Sequence, residues 1–555
     1  MKKKDRAANA SNAGMIILWI LLALQILLIF VCNLMYLPKY LDGDFAKLAT
    51  HIVEMAENGR LAIPGWKYTT TAEWDCVTLF ALPLYMITKN LYLSLSIGNL
   101  LISLMFAAVC FFIFNDKRSA LVAANLLFIP YEFGILSYYN MLFYGGSQYS
   151  IKVIVPLLLI GVSLHAGKKA EGGKKDLPFI IASAALLFLL FVTTASSGVY
   201  VCICGIFPIV VSFIAYHVVN KKPIPRIWII LAACAIVLCG AGILLNRKVM
   251  GGTRADSLSF VTFYEYCDGY ILRALAGFFS LFGGATVNGN VYITSTYGIF
   301  LFLRILFVLA LIGGIIASVK SVAGSMSDRT GKCTAPSDNP GSAGTVALCE
   351  SPENTTLRDL MMISAFFWNL LIILVADVRA GSPTFEYRYY LIGTIPAVLL
   401  LAERLTGIYD ARKKNLKIPM IVCYLGFIFM MLFGCYRNIT NIYNWEGDVH
   451  AEYRELVRYC EENGIDTVYI YDRSHETDIC RLISSGPMFV DVLSNGYTWV
   501  NDYYESYEGP LPAEDCYVAV PAVSAVFEDG APIFERQAEP VTSIGSIKLY
   551  VLKAE

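Results

Sequence analysis

The sequence predicts an all-α polytopic membrane protein of about 11 transmembrane helices, followed by a small C-terminal extracytoplasmic α/β domain. Three observations predict it. Of 555 residues, 57% are hydrophobic and only 16% charged, with mean hydropathy +0.58; a soluble chain of this length would leave much of that surface in water. Apolar runs long enough to cross a bilayer recur from Met15 to about residue 435. Beyond residue 436 that pattern gives way to helical periodicity alternating with short apolar strands. The net charge of −1 argues against a nucleic-acid partner.

In chain order, residues 1–14 are a basic N-terminus (Lys2, Lys3, Lys4, Arg6), expected to be cytoplasmic. The run from Met15 to Met35 has no small-residue cleavage site after it and reads as a retained first span. Further runs fall near 91–114, 119–137, 150–166, 177–194, 199–219, 227–245, 298–319, 359–376, 389–405 and 420–435, giving eleven in a membrane domain of residues 15–435. With the N-terminus inside, the clusters Lys117 and Arg118, Lys168 to Lys175, Lys221 to Arg226, and Arg412 to Lys417 all fall on the inner side. The C-terminal domain, 436–555, then lies outside.

Three non-spanning segments interrupt the membrane domain: a first outer loop (36–90), a second long outer segment (247–297) and an inner segment (320–358). The second contains Phe278 to Gly284, which reads as interfacial or re-entrant. The third is rich in Ser, Gly, Pro, Asn and Thr and reads as a disordered loop. In the outer domain a helix is expected over 448–463. Strands are expected at Thr467–Tyr471, Met488–Leu493, Tyr517–Pro521 and Ile547–Leu552. The 15 cysteines lie mostly inside apolar runs without a Cys-x-x-Cys pair and read as packing residues. The five histidines lack metal-ligand spacing, and His51 is expected to face water. There is no phosphate-binding glycine loop and no inner domain large enough for a nucleotide sugar.

Chemistry-bearing charge gathers at outer span ends. Asp42 and Asp44 follow the first span directly. Phe45, Leu48, Ala49, Ile52, Val53 and Ala56 then mark a one-sided helix that stops at Gly59. Asp44 stands where a helix N-cap belongs; a carboxylate there also suits a general base beside a hydroxyl. Spacing leaves both readings open. Glu73 is either a second acid orienting an acceptor or a solvated loop carboxylate. Trp66, Tyr68 and Trp74 offer faces to a sugar, as does Tyr387 in a second cluster, although aromatics are common at a membrane interface. That cluster is Glu386-Tyr-Arg388-Tyr-Tyr390, at the mouth of the run at 389–405. A guanidinium there suits two-pronged phosphate binding or snorkels while paired with Glu386. Arg379, Lys152 and Arg273, near other outer span ends, are weaker candidates for the same phosphate.

The stretch from Asp44-Phe-Ala-Lys-Leu-Ala to Ala62-Ile-Pro64 resembles the first outer loop of GT-C-fold membrane glycosyltransferases, in particular the aminoarabinose transferases and protein mannosyltransferases. Arg388-Tyr before an apolar run with Pro396 resembles a second feature of that superfamily. The resemblance implies that Asp44 takes the place of the base-carrying aspartate. The family's following Glu is Phe45 here, which leaves Asp42 or Glu73 to supply a second acid and makes the loop a candidate place for Mg or Mn. It also implies a reaction: transfer of a sugar, with inversion, from a polyprenyl-phosphate donor to a cell-envelope glycan, lipid or protein acceptor. The setting it implies is the outer face of a bacterial plasma membrane. The alternative is a transporter, flippase or polymerase-type export component. Such proteins place charge in mid-span, whereas the predicted spans here are almost free of charge near their centres.

Overall fold

A computed structural model describes residues 2–554, apart from positions 36, 40, 132–137, 170–176, 252–259, 285–291, 332–351, 377–386, 411–424, 427, 435, 437–449, 501, 526 and 528–530. The membrane part is helical: α1 (Lys2–Met35), α2 (Gly43–Asn58), α3 (Thr78–Thr88), α4 (Leu91–Ile113), α5 (Lys117–Leu127), α6 (Tyr138–Phe143), α7 (Ser150–Lys169) and α8 (Leu177–Ser197). It continues with a π-turn (Cys202–Ile206) running into α9 (Phe207–Val219), α10 (Arg226–Val249), α11 (Phe263–Cys267), α12 (Tyr270–Ser280), α13 (Thr296–Gly331) and α14 (Pro352–Val375). A 3-10 turn (Tyr387–Tyr390) then leads into α15 (Leu391–Asp410).

Among the described residues, eight helical stretches are long and apolar enough to cross a membrane, and they match eight of the expected runs. The run at 150–166 is a shorter apolar helix, and that at 420–435 lies partly outside the described residues. The run at 119–137 departs from expectation. Its helix α5 ends at Leu127, and Ser119 to Leu127 are all buried. Its apolar residues pack on α1, α4 and α15; hydropathy alone does not separate a core helix from a span. The expected disorder at 320–358 is also corrected at both ends. The helix α13 runs on to Gly331 and α14 already starts at Pro352, because extending an existing helix costs far less than starting one. Residues 332–351 lie outside the described residues.

Buried amides tie the spans to the loops above them. Asn33 on α1 and Asn99 on α4 are fully buried. Asn33 Oδ1 accepts from Asn99 Nδ2 and from the Gly145 N–H, each at 2.9 Å. Asn99 Nδ2 also donates to the Gly145 carbonyl at 3.0 Å, and Ser147 Oγ donates to Asn99 Oδ1. Unpaired, these groups would be costly among apolar spans; paired, they fix the turn from Tyr144 to Gln148. That turn needs left-handed backbone at Gly145 (φ 58°) and Ser147 (φ 46°). At Gly145 an added Cβ would stand 3.3 Å from the Phe45 ring, so glycine lets α2 settle against the turn.

The C-terminal part is a seven-stranded mixed sheet. In chain order it comprises α16 (Ala451–Glu462), β1 (Thr467–Tyr471), α17 (Ser474–Ile483), β2 (Met488–Val492), β3 (Tyr497–Trp499), β4 (Gly509–Pro510), β5 (Cys516–Pro521), β6 (Ala538–Ile544) and β7 (Ile547–Leu552). The strand order is β4-β3-β2-β1-β5-β7-β6, with β1 parallel to β2 and β5 and the other pairs antiparallel. The four expected strands are present. The sheet sits on the first loop: α17 packs against α2, Lys67 N donates to the Tyr503 carbonyl at 2.8 Å, and Glu505 N to that of Gly65 at 2.8 Å.

Candidate active site

The site is built at the start of α2. Asp42, not Asp44, is the N-cap: its Oδ1 accepts from the Phe45 N–H at 2.9 Å, and its backbone is extended (φ −109°, ψ 159°). Gly59 closes the helix in left-handed conformation (φ 62°), as its position predicted. Capping by Asp42 leaves the Asp44 carboxylate, in the first turn, free of backbone duty. Burial raises the Asp42 carboxyl to about 6, against the pull of the Phe45 N–H.

Asp42 and Asp44 line a small cleft between α2 and the turn that Asn33 and Asn99 hold, together with Phe45, Tyr144, Ser147 and Gln148. Arg388 reaches the same place from the 3-10 turn before α15, with Nη1 3.8 Å from Asp44 Oδ2. Lys47, one helical turn on from Asp44, places Nζ 3.1 Å from Asp44 Oδ1. Burial alone would raise the Asp44 carboxyl, but Lys47 and Arg388 outweigh it and hold Asp44 below its ordinary value. Asp44 is therefore ionised at neutral pH and flanked by two cations.

The C-terminal domain adds a carboxylate. Asp502, left-handed at φ 53°, accepts from Thr69 N at 2.9 Å and Thr69 Oγ1 at 2.8 Å, and its Oδ2 lies 3.8 Å from Lys47 Nζ. Burial raises Asp502; Lys47 and the Thr69 hydrogen bonds oppose it. Lys47 and Asp502 were not singled out from the sequence. A lysine on an amphipathic helix and an aspartate in a Tyr-rich loop carry no local signal, and only the docked sheet brings them together.

Glu73 is not the solvated carboxylate that one reading offered. It is half-buried on a left-handed residue (φ 56°); burial, then Asp502, push it well above the usual range, with Lys47 and Lys152 pulling the other way. Its neighbour Asp75 is fully buried and accepts from Ser196 Oγ at 2.7 Å and Ser197 Oγ at 2.8 Å. Lys152, also buried, lies 3.3 Å from Asp75 and donates to the Gln148 carbonyl at 2.8 Å. Lys152 thus braces the cleft from behind.

Trp66 and Tyr68, expected to offer faces to a sugar, are instead buried at the junction with the outer domain. The Trp66 ring stacks on His51 (centroids 4.9 Å) and meets Tyr503 and Tyr504. Tyr68 OH accepts from Ile63 N at 3.2 Å and pairs with His51 Nε2 at 3.3 Å. His51, expected to face water, is buried, because Trp66 and Tyr68 cover that side of α2; burial lowers its imidazole to about 3. Arg273 pairs with Asp268 at 3.7 Å on α12. Arg379 and Glu386 lie outside the described residues. Tyr387 opens the turn that carries Arg388, but its side chain is not described.

The donor set suits a divalent cation poorly, since both Asp44 oxygens already face cations. Among the described residues no group of three or more His, Cys, Asp or Glu is arranged to hold a metal. The arrangement suits a base and an anion-receiving cation side by side.

No protein-family profile and no curated protein sequence matches the chain. Solved structures do. ArnT from Cupriavidus metallidurans bound to undecaprenyl phosphate matches at TM-score 0.51 and 10% identity, over 96% of this chain and 97% of that one. The apo form of the same protein gives 0.45 at 12% identity, over 98% of each chain. The Archaeoglobus fulgidus oligosaccharyltransferase complex with Zn and sulfate gives 0.47 at 12% identity; it covers 84% of this chain, which spans only 62% of its length. The end-to-end likeness to the lipid-bound ArnT, on a multi-span helical bundle with a C-terminal sheet, shows that this chain has the GT-C fold.

Proposed function

We propose that the protein is a membrane glycosyltransferase that moves a sugar from a polyprenyl-phosphate donor to a hydroxyl-bearing cell-envelope acceptor, with inversion at C1. The single observation that supports this best is the ion pair of Asp44 and Arg388, 3.8 Å apart though far apart in the chain, with Asp44 lining the cleft. In this reading the ionised Asp44 takes the proton of the acceptor hydroxyl. The hydroxyl oxygen forms a bond to the sugar C1 while the bond from C1 to the phosphate oxygen breaks. Arg388 receives the charge that develops on the departing phosphate. Bringing base and cation to one cleft supplies the orientation such a displacement needs. The ArnT structure that shares this fold was solved with undecaprenyl phosphate, a donor carrier of the chemical class proposed here.

The proposed setting is a bacterial plasma membrane, with the N-terminus cytoplasmic and the cleft and sheet outside. The orientation rests on the one-sided distribution of the basic clusters, which requires residues 115–149 to cross once, and the bacterial setting on the family resemblance. The sugar transferred and the acceptor follow from the assay: purified protein, a panel of radiolabelled polyprenyl-phosphate sugars and envelope extracts. Wild type is expected to transfer label, Asp44→Asn to lose roughly 10²–10⁴-fold in rate, and Arg388→Ala to lose a comparable factor. Full activity in Asp44→Asn would remove Asp44 as the base. Passage of lipid-linked glycan across proteoliposomes without any transfer would replace the enzyme by an export component.

A further inference from the structure

We propose that Asp502, supplied by the outer domain, is a positioning residue that holds Lys47 between two carboxylates and thereby sets how basic Asp44 is. The proposal rests on the reading of Asp44 as the base and gives the outer domain a part in the reaction. The geometry carries it. Lys47 Nζ lies 3.1 Å from Asp44 Oδ1 and 3.8 Å from Asp502 Oδ2. Its side chain is only 10% exposed, so water does little to neutralise it. Asp502 is held by two hydrogen bonds from Thr69, the N–H on Oδ1 and the hydroxyl on Oδ2, and the loop bearing Thr69 is itself paired to the C-terminal domain through Lys67 N and the Tyr503 carbonyl. Asp502 therefore cannot follow Lys47, which is shared between the two carboxylates.

A base paired with one undivided ammonium is a weak base, since the cation stabilises the ionised form that must give way when a proton is taken up. Sharing Lys47 weakens that pull. Several other groups face Asp44. Asp42 comes from its own helix, Arg388 from the turn before α15, and His475 from α17. The half-buried Glu73 comes from the loop beneath, with Lys152 behind it, and Asp478 stands in an ion pair with Arg481 at 2.8 Å. None of these is bound to Lys47 by a contact as short as those of Asp44 and Asp502. Removing the Asp502 charge gives Lys47 wholly to Asp44, which lowers the pH at which Asp44 takes up its proton and slows a step that depends on its basicity.

The test uses the full-length protein with Asp502→Asn, which keeps an oxygen for Thr69 N, and Asp502→Glu, which restores the charge. Protonation of Asp44 is read without any substrate, from the pH dependence of its labelling by a water-soluble carbodiimide and glycine ethyl ester, quantified by peptide mass spectrometry. The expected result is a midpoint lower by about one pH unit in Asp502→Asn, recovered in Asp502→Glu. The acidic limb of the transfer rate should move by the same amount, with a lower plateau. A merely structural loss would lower the amount of folded protein and leave the midpoint in place. An unchanged labelling midpoint overturns the proposal. A shifted midpoint in a protein that transfers no sugar sustains the Lys47 arrangement and rejects Asp44 as a glycosyl-transfer base, so the two failures are distinct.

Discussion

His51 shows how a single residue reads differently once its neighbours are known. By spacing it sits on a surface helix; in the fold it is stacked on Trp66 and covered by Tyr503 and Tyr504 through that ring. Burial holds its imidazole near 3, against an ordinary 6.5. Between those values the unfolded chain takes up a proton that the folded protein refuses. Stability is therefore full above pH 6.5 and falls by about 1.4 kcal/mol for each pH unit below it. His51→Phe keeps a ring against Trp66 and cannot titrate, so the drop in melting temperature from pH 7 to pH 5 in detergent should be smaller than in wild type; equal drops would mean that His51 charges freely. Asp75 makes a second case. Replacing it with Ala leaves the buried Lys152 ammonium without its carboxylate, at a cost of about 3–5 kcal/mol, and Asp75→Ala combined with Lys152→Met should regain much of that loss. Asp44 and Arg388 were legible in the sequence because charge beside an apolar run is out of place and asks for a reason. Lys47 and Asp502 were not, because each is ordinary where it stands in the chain.

At the scale of elements, the outer domain is held on the membrane domain by the crossing of α2 and α17, and that crossing depends on Gly43. A Cβ there would lie 2.1 Å from His475 Nδ1 and 2.8 Å from its Cα, so backbone as well as side chain would have to move. Gly43→Val should separate the helices, expose the loop around Trp66 and make the junction sensitive to limited proteolysis, while the sheet, with its own core of Leu456, Val468, Ile470 and Phe489, stays folded. An unchanged digestion pattern would show that the helices part without loss of docking. Most of these elements could be read from sequence where one period dominates: the long spans, α2, α16 and the strands β1, β2, β5 and β7. Others could not. The strand β6 contains Glu539 and Pro540 and is exposed along much of its length, so it has no apolar alternation to betray it. The helix α17 is short and mostly polar, and what fixes it is its seat on α2. The helix α5 has the composition of a span and the surroundings of a core.

For the whole molecule, α15 joins two ends of opposite character. Its first residues follow Arg388 at the cleft, and Leu391, Ile392, Ile395 and Ala397 to Ala402 are buried along its length. At its other end Glu403 pairs with Arg358 of α14, and Arg404 pairs with Asp359 and donates to Ser318 of α13 at 2.9 Å. Arg358 also lies over the Phe114 ring at 4.8 Å, just past α4. Four helices are thus stapled where no substrate is expected, while at the cleft the charges face an opening. In the proposed reading, charge at the cleft serves the reaction, and charge at the far end serves the bundle. Arg358→Met strands Glu403, while Asp359 keeps Arg404, and should cost about 3–5 kcal/mol, most of it regained in Arg358→Met with Glu403→Leu, because an apolar pair of similar volume replaces a buried ion pair at little cost. Transfer per folded molecule should hardly change in either variant. Arg388→Ala should do the reverse, leaving the melting temperature near that of wild type and removing transfer. Measuring both quantities on all three proteins tests the division: if Arg358→Met lowers turnover as much as it lowers stability, α15 passes strain from one end to the other, and the staple takes part in the chemistry at the cleft.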